Sequence, residues 1–257
     1  MDTKKILQHT IVAHKMIEEL LKLYNSIMPQ VAKCISRLNE QRQGNYISNP
    51  YLIAPAYSYF QSTRRIMIVG QETNCWLGEI LDGKFSPETP VETLMKLYDL
   101  FSNDQNRGYN SPYWNFVNLL QSIAEKNGIG VVTNNLAKVG FNHSTGYDPT
   151  ANAEFDMVFR EEIRICKPDA ILFLTGPNYD NLIKQRLGDF ITEPCIDTLP
   201  VRKCAKLSFP NNTYLSDMVI IRTYHPGYLQ RVKNRYDWVK QIYESLKIFA
   251  TNLDSVK

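Results

Sequence analysis

Two polar stretches hold residue types suited to acid–base and electrostatic chemistry. They are Gly70-Gln71-Glu72-Thr73-Asn74 and His225-Pro226-Gly227-Tyr228-Leu229-Gln230-Arg231. Glu72 offers a carboxylate that could polarise a water, while Gln71 and Asn74 offer amides able to read amide or base edges. Pro226 restricts the backbone beside His225 and aims one imidazole. Beyond it, Arg231, Lys233 and Arg235 alternate with Tyr228, Tyr236 and Trp238. Such a run serves either as a charged helix start with rings packed inward or as a phosphate-contacting patch beside an apolar wedge. Cations at a helix amino terminus oppose the helix dipole, which favours the second use.

A third stretch, TNNLAKVGF, places Asn134 and Asn135 where they should stop an apolar run. Asn135 then either caps a turn or pairs two complementary groups on a ligand. His143 and Asp148 lie in the same predicted loop, a setting where a histidine is usually a solvated surface residue. Gly70 is explained equally by a tight turn, and Phe85 by the core.

These loops need elements to hold them. Apolar runs at 65–69, 129–133, 170–174 and 218–223 read as strands. Helical patterns fall at 91–101, 113–126, 151–166, 178–187 and 232–249, and the first 43 residues also read as helix. There Val12, Met16, Leu20, Leu23, Ile27, Val31, Ile35 and Leu38 form a stripe that Pro29 should interrupt. The stretch 44–62, rich in aromatics and proline, reads as an irregular wrap. Strands alternating with helices predict an α/β fold, a three-layer sandwich around a central, mostly parallel four-stranded sheet. The expected division is a helical amino-terminal extension over 1–60, packed on an α/β domain over 61–257. Polar loops at the carboxyl ends of parallel strands are where open α/β sheets place ligand sites.

Composition narrows the chemistry. The chain has 257 residues and a net charge of +3, which permits an acidic partner without requiring one. Five cysteines without a C-x-x-C pair argue against a disulfide framework and for a reducing cytoplasm. No metal-ligand spacing, dinucleotide fingerprint, P-loop or G-x-S-x-G elbow occurs, so neither metal nor cofactor is expected. No apolar run approaches the roughly 20 residues of a membrane helix, and the amino terminus lacks the apolar segment of a secretion signal. The expectation is a soluble intracellular protein, monomeric by default.

Taken in order, the three stretches resemble the uracil-DNA glycosylase superfamily. Residues 70–74 match a G-Q-D-P-Y type motif, and Phe85-Ser86 follows at the spacing of that family's pocket-floor aromatic. Asn135-Leu136-Ala137-Lys138 matches its N-x-x-K form, and 225–231 matches H-P-x-Y-L-x-R. The resemblance spans about residues 70–231 and is strong only at these anchors. It implies excision of uracil or a related damaged base after base flipping. Glu72 would activate water, His225 would donate to the leaving base, Phe85 would stack on it, and Asn135 would pair with its edge. Gly70, Gln71 and Asn74 would complete the substrate pocket. Tyr228, Leu229, Arg231 and Lys233 would contact single- or double-stranded DNA, with Leu229 as the wedge.

Three departures stand out. Glu replaces the usual Asp, Thr73 replaces Pro, and Asn74 replaces the Tyr that excludes thymine. The cysteines lack the close pair that an iron–sulfur cluster in this family would need. Two other readings stay open: a non-catalytic nucleic-acid or nucleobase-binding protein of the same fold, and an unrelated α/β hydrolase or transferase using Glu72 and His225.

Overall fold

A computed structural model describes residues 3–41, 47–73, 76, 86, 88–103, 110–140 and 153–256. It is an α/β protein in which six strands among the described residues form one mixed sheet in the order β2-β1-β3-β6-β5-β4. The strands are β1 (Arg64–Gly70), β2 (Ile129–Asn135), β3 (Ala170–Phe173), β4 (Ile191–Pro194), β5 (Cys204–Ser208) and β6 (Val219–Thr223). The α-helices among the described residues are α1 (Thr3–Gln41), α2 (Tyr57–Gln61), α3 (Val91–Ser102), α4 (Pro112–Lys126), α5 (Asp156–Cys166), α6 (Asp180–Leu187), α7 (Pro226–Val232) and α8 (Asp237–Thr251).

The chain divides into two compact units, each built from discontinuous segments. One comprises 1–56, 71–104 and 134–166; the other comprises 57–70, 105–133 and 167–257. This differs from the expected boundary at residue 60. The amino-terminal helix shares a unit with the segments that follow β1 and β2, because its buried face is completed by residues distant in sequence.

The second unit holds most of the sheet. Its centre is parallel, with Ile68 opposite Leu172 across β1–β3 and Leu172 opposite Ile221 across β3–β6. Every residue of β3 and β6 is buried, as apolar runs covered on both faces should be. The expected four-stranded, mostly parallel sheet is thus a six-stranded mixed one. β5 runs antiparallel to β6, and β4 runs antiparallel to β5. β4 has the sequence ITEP and is largely exposed. Short length, a charge and a proline suit an edge strand but leave no apolar run to read. In the same unit α4 packs against α8, with Phe116 edge-on to Tyr243 at 4.8 Å. α4 starts where Ser111 accepts the Trp114 N–H and Pro112 occupies the first turn.

The first unit is organised on α1, which contacts α3 and α5. Its buried face is Ala13, Met16, Leu20, Tyr24, Ile27, Val31 and Ile35, each large member contributing roughly 1.5–3 kcal/mol on burial. Tyr24 takes the interior place expected of Leu23, and Val12 is exposed. The helix continues through Pro29. The apolar contacts on both sides of that residue outweigh the lost backbone hydrogen bond. Residues 47–54 are wholly buried without regular structure from 48 onward. The Ser48 N–H donates to the Gly140 carbonyl at 2.8 Å, and the Tyr51 N–H to the Lys138 carbonyl at 2.7 Å.

Candidate functional site

β1 ends at Gly70, and Gln71, Glu72 and Thr73 open the loop beyond it. The Gln71 carbonyl accepts the Ala137 N–H at 2.8 Å. Thr73 and Ser48 share a hydroxyl hydrogen bond of 3.0 Å, and the Ser48 hydroxyl also accepts the Gly140 N–H at 3.0 Å. Gly140 lies so close that a Cβ there would overlap the Thr73 carbonyl oxygen. The loop bearing Glu72 is therefore clamped against the segment that follows β2.

Within that clamp Glu72 is half-buried, and its Oε2 has no hydrogen-bond partner among the described residues. Burial without compensation pushes its pKa up to about 7. A carboxyl balanced between its two forms at neutral pH suits proton transfer. Asn135 is buried in the same unit. Its backbone N–H donates to Asn134 Oδ1 at 2.8 Å, while its carboxamide bonds to no described residue.

Behind these residues lies a network that sequence reading missed. Lys138 and Glu162 form an ion pair of 2.6 Å with both side chains fully buried. Tyr24 donates to Glu162 Oε1 at 2.6 Å and accepts the Ile53 N–H at 3.1 Å. Asn134 donates to Glu162 Oε2 at 2.9 Å and accepts from Lys138. Burial and the Glu162 charge push the Tyr24 pKa well above the usual tyrosine range. The network also explains why β2 runs through two asparagines that were expected to end it. The polar atoms of Asn134 are satisfied inside. The available sign was Glu162 at a core position of the α5 pattern, among Val158, Phe159, Ile163 and Cys166.

In the other unit, His225 caps α7. Its Nδ1 accepts the Gly227 N–H at 3.1 Å, and its ring stacks on Tyr113 at 5.6 Å with planes 10° apart. Burial and then Arg231 lower its pKa to about 4. Above that pH the imidazole is neutral, and because Nδ1 accepts, Nε2 carries the proton. His225 is thus a neutral hydrogen-bond donor.

Tyr228, Arg231 and Lys233 are exposed. Leu229 is not: it is 0% exposed. It shares the inward face of α7 with Pro226 three residues before it, so the expected protruding wedge is a core residue. Gly70, Gln71, Glu72 and Asn135 occupy the positions described above. Asn74, Phe85, His143 and Asp148 lie outside the described residues.

Among the described residues, no group of three or more His, Cys, Asp or Glu side chains could hold a metal ion. No described helix is long and apolar enough to cross a membrane. No protein-family model matches the chain, and no curated protein matches it either.

Proposed function

We propose that this protein is a DNA glycosylase of the uracil-DNA glycosylase type, hydrolysing the N-glycosidic bond of uracil or a related damaged base. The observation that carries this reading is Glu72, a clamped carboxyl whose Oε2 has no hydrogen-bond partner among the described residues and whose pKa is pushed up to about 7. In the proposed reaction Glu72 takes a proton from the water that attacks C1′. The bond from C1′ to the base breaks and its electron pair leaves with the base. Taken by itself, His225 is the second candidate group, a neutral Nε2–H donor of the kind that stabilises developing negative charge. Asn135 supplies a carboxamide for the base edge. The products are a free base and an abasic site, as in base-excision repair. The four described cysteines are free thiols, which supports a reducing, cytoplasmic setting.

A non-catalytic nucleic-acid-binding protein of the same fold is the second reading. It is favoured by the exposed cations and rings after His225, which need no catalysis to bind a strand.

Single-turnover excision separates the two. Protein in excess is incubated with labelled uracil-containing oligonucleotides, single-stranded or paired with G or A, beside the Glu72→Gln variant. Abasic sites formed by the wild type alone establish the hydrolase. Retained, salt-sensitive binding without excision establishes the binding protein, and absence of both removes both readings.

A further inference from the structure

Four aromatic rings gather where β6 gives way to α7 and α8. Tyr224 and Tyr228 lie 4.7 Å apart, Tyr228 and Trp238 6.5 Å with planes 27° apart, and Tyr236 and Trp238 5.9 Å with planes 30° apart. Lys203 sits over the Trp238 ring at 4.6 Å. Tyr228 is 37% exposed and Tyr236 49%. Tyr224 and Trp238 are half-buried, so the two exposed rings stand on an aromatic base, an arrangement that suits a covering ligand.

The charge around them is positive. Between residues 224 and 240 stand Arg231, Lys233, Arg235 and Lys240, against Asp237 as the single acid. Arg231, Lys233 and Arg235 are exposed and form no ion pair with any described residue. Arg231 in the last turn of α7 and Lys233 at its C-cap suit that helix's dipole, whereas Arg235 precedes the amino terminus of α8, where a cation opposes it.

Unpaired polyanionic strands combine the two properties this surface complements. Each nucleotide offers a base face for a ring and a phosphate for a cation. A duplex hides its base faces in its own stack and would need an apolar wedge to open it, and Leu229 is buried. We infer that the α7–α8 corner is a platform for single-stranded nucleic acid, with bases stacking on Tyr228 and Tyr236 and phosphates held by Arg231, Lys233 and Arg235. The inference rests on the nucleic-acid reading above and narrows its substrate to unpaired strands.

Fluorescence anisotropy with labelled oligothymidine and a duplex of equal length tests it on the full chain. Binding to the single strand should be the tighter and should quench tryptophan emission. Tyr236→Ala should weaken it by about 5–150-fold, the worth of one stacked base, with Tyr236→Phe restoring affinity. Arg231→Ala with Lys233→Ala should flatten the salt dependence by roughly 0.7 in log–log slope for each phosphate that is no longer neutralised. Equal or tighter binding to the duplex, an unaffected Tyr236→Ala variant, or capture by phosphatidylserine vesicles but not by oligothymidine overturns the inference. Single-strand binding without excision keeps it and removes the hydrolase reading. Excision confined to duplexes does the reverse.

Discussion

His225 accepts the backbone N–H of Gly227 on Nδ1 at 3.1 Å, within the helical turn that it caps. This single contact decides which face of the imidazole can work. Nδ1 is occupied as an acceptor, so the neutral ring presents Nε2–H, and burial together with Arg231 keeps it neutral down to about pH 4. The same contact makes His225 a structural cap and a candidate electrophile.

Imidazole resonances followed by NMR should therefore show His225 titrating near pH 4, below the ordinary histidine range. Because its pKa is depressed on folding, its contribution to stability is complete above about pH 6.5 and is lost as pH falls toward 4. His225→Gln should reduce that acid sensitivity, measured as the melting temperature against pH. A His225 titration at 6.5 would contradict the buried, cap-forming ring.

Glu72 has the opposite sign. Its folded pKa is raised, so its protonated form stabilises the fold fully below about pH 4.5 and the benefit is lost as pH rises through 7. Glu72→Gln should raise stability at pH 8 by about 1–2 kcal/mol, a figure reduced for partial solvent access, and change little at pH 4. If Glu72 is the base, excision should climb through pH 7 to a plateau. A profile flat across that range would remove it from the reaction.

Lys138 and Glu162 should behave as one buried unit. Lys138→Met or Glu162→Gln alone should cost about 3–5 kcal/mol in urea unfolding, because each leaves the other charge or its hydrogen bonds uncompensated. Lys138→Met combined with Glu162→Gln should cost less than the two single changes summed. Tyr24→Phe should cost about 1.5–3 kcal/mol through the lost bond to a charged acceptor. Additive losses in the double variant would show that the pair is not coupled.

Gly140→Ala should loosen the Glu72 loop. The new methyl would meet the Thr73 carbonyl, whose neighbour is Glu72, so the clamp must open. A loss of about 1–3 kcal/mol is expected from overpacking, with activity falling more than in the conservative Thr73→Ser variant. Unchanged stability would mean that the segment yields freely.

Cys195 should be the most reactive of the described thiols. The register pairs Pro194 with Ala205, and its next step sets Cys195 opposite Cys204. A hydrogen bond from the Cys204 thiol lowers the Cys195 pKa against the effect of burial, and Lys206 helps. The Cys204 thiol itself is raised. Timed iodoacetamide labelling with peptide mapping should modify Cys195 before Cys34, Cys166 and Cys204, all buried. Earlier labelling of any of those three would refute this order.

The sequence by itself determined the strands with continuous apolar runs, β1, β2, β3 and β6, and much of the helical stripe of α1, though not the places of Val12 and Leu23. Periodicity and run length report burial directly. It also marked Glu72 and His225 as polar groups just beyond strands. Tertiary structure alone decided what those groups are. The elevated pKa of Glu72 comes from a loop clamped by Ser48 and Gly140, and Tyr24 reaches Glu162 across 138 positions of chain. β4 was invisible because an exposed edge strand needs no apolar pattern, and its pairing to β5 is specified by backbone hydrogen bonds that carry no side-chain signature. Leu229 has the same residue type whether it wedges into a duplex or fills the core. Only the packing around α7 chose the core, since desolvation and contact depend on neighbours that local sequence does not name.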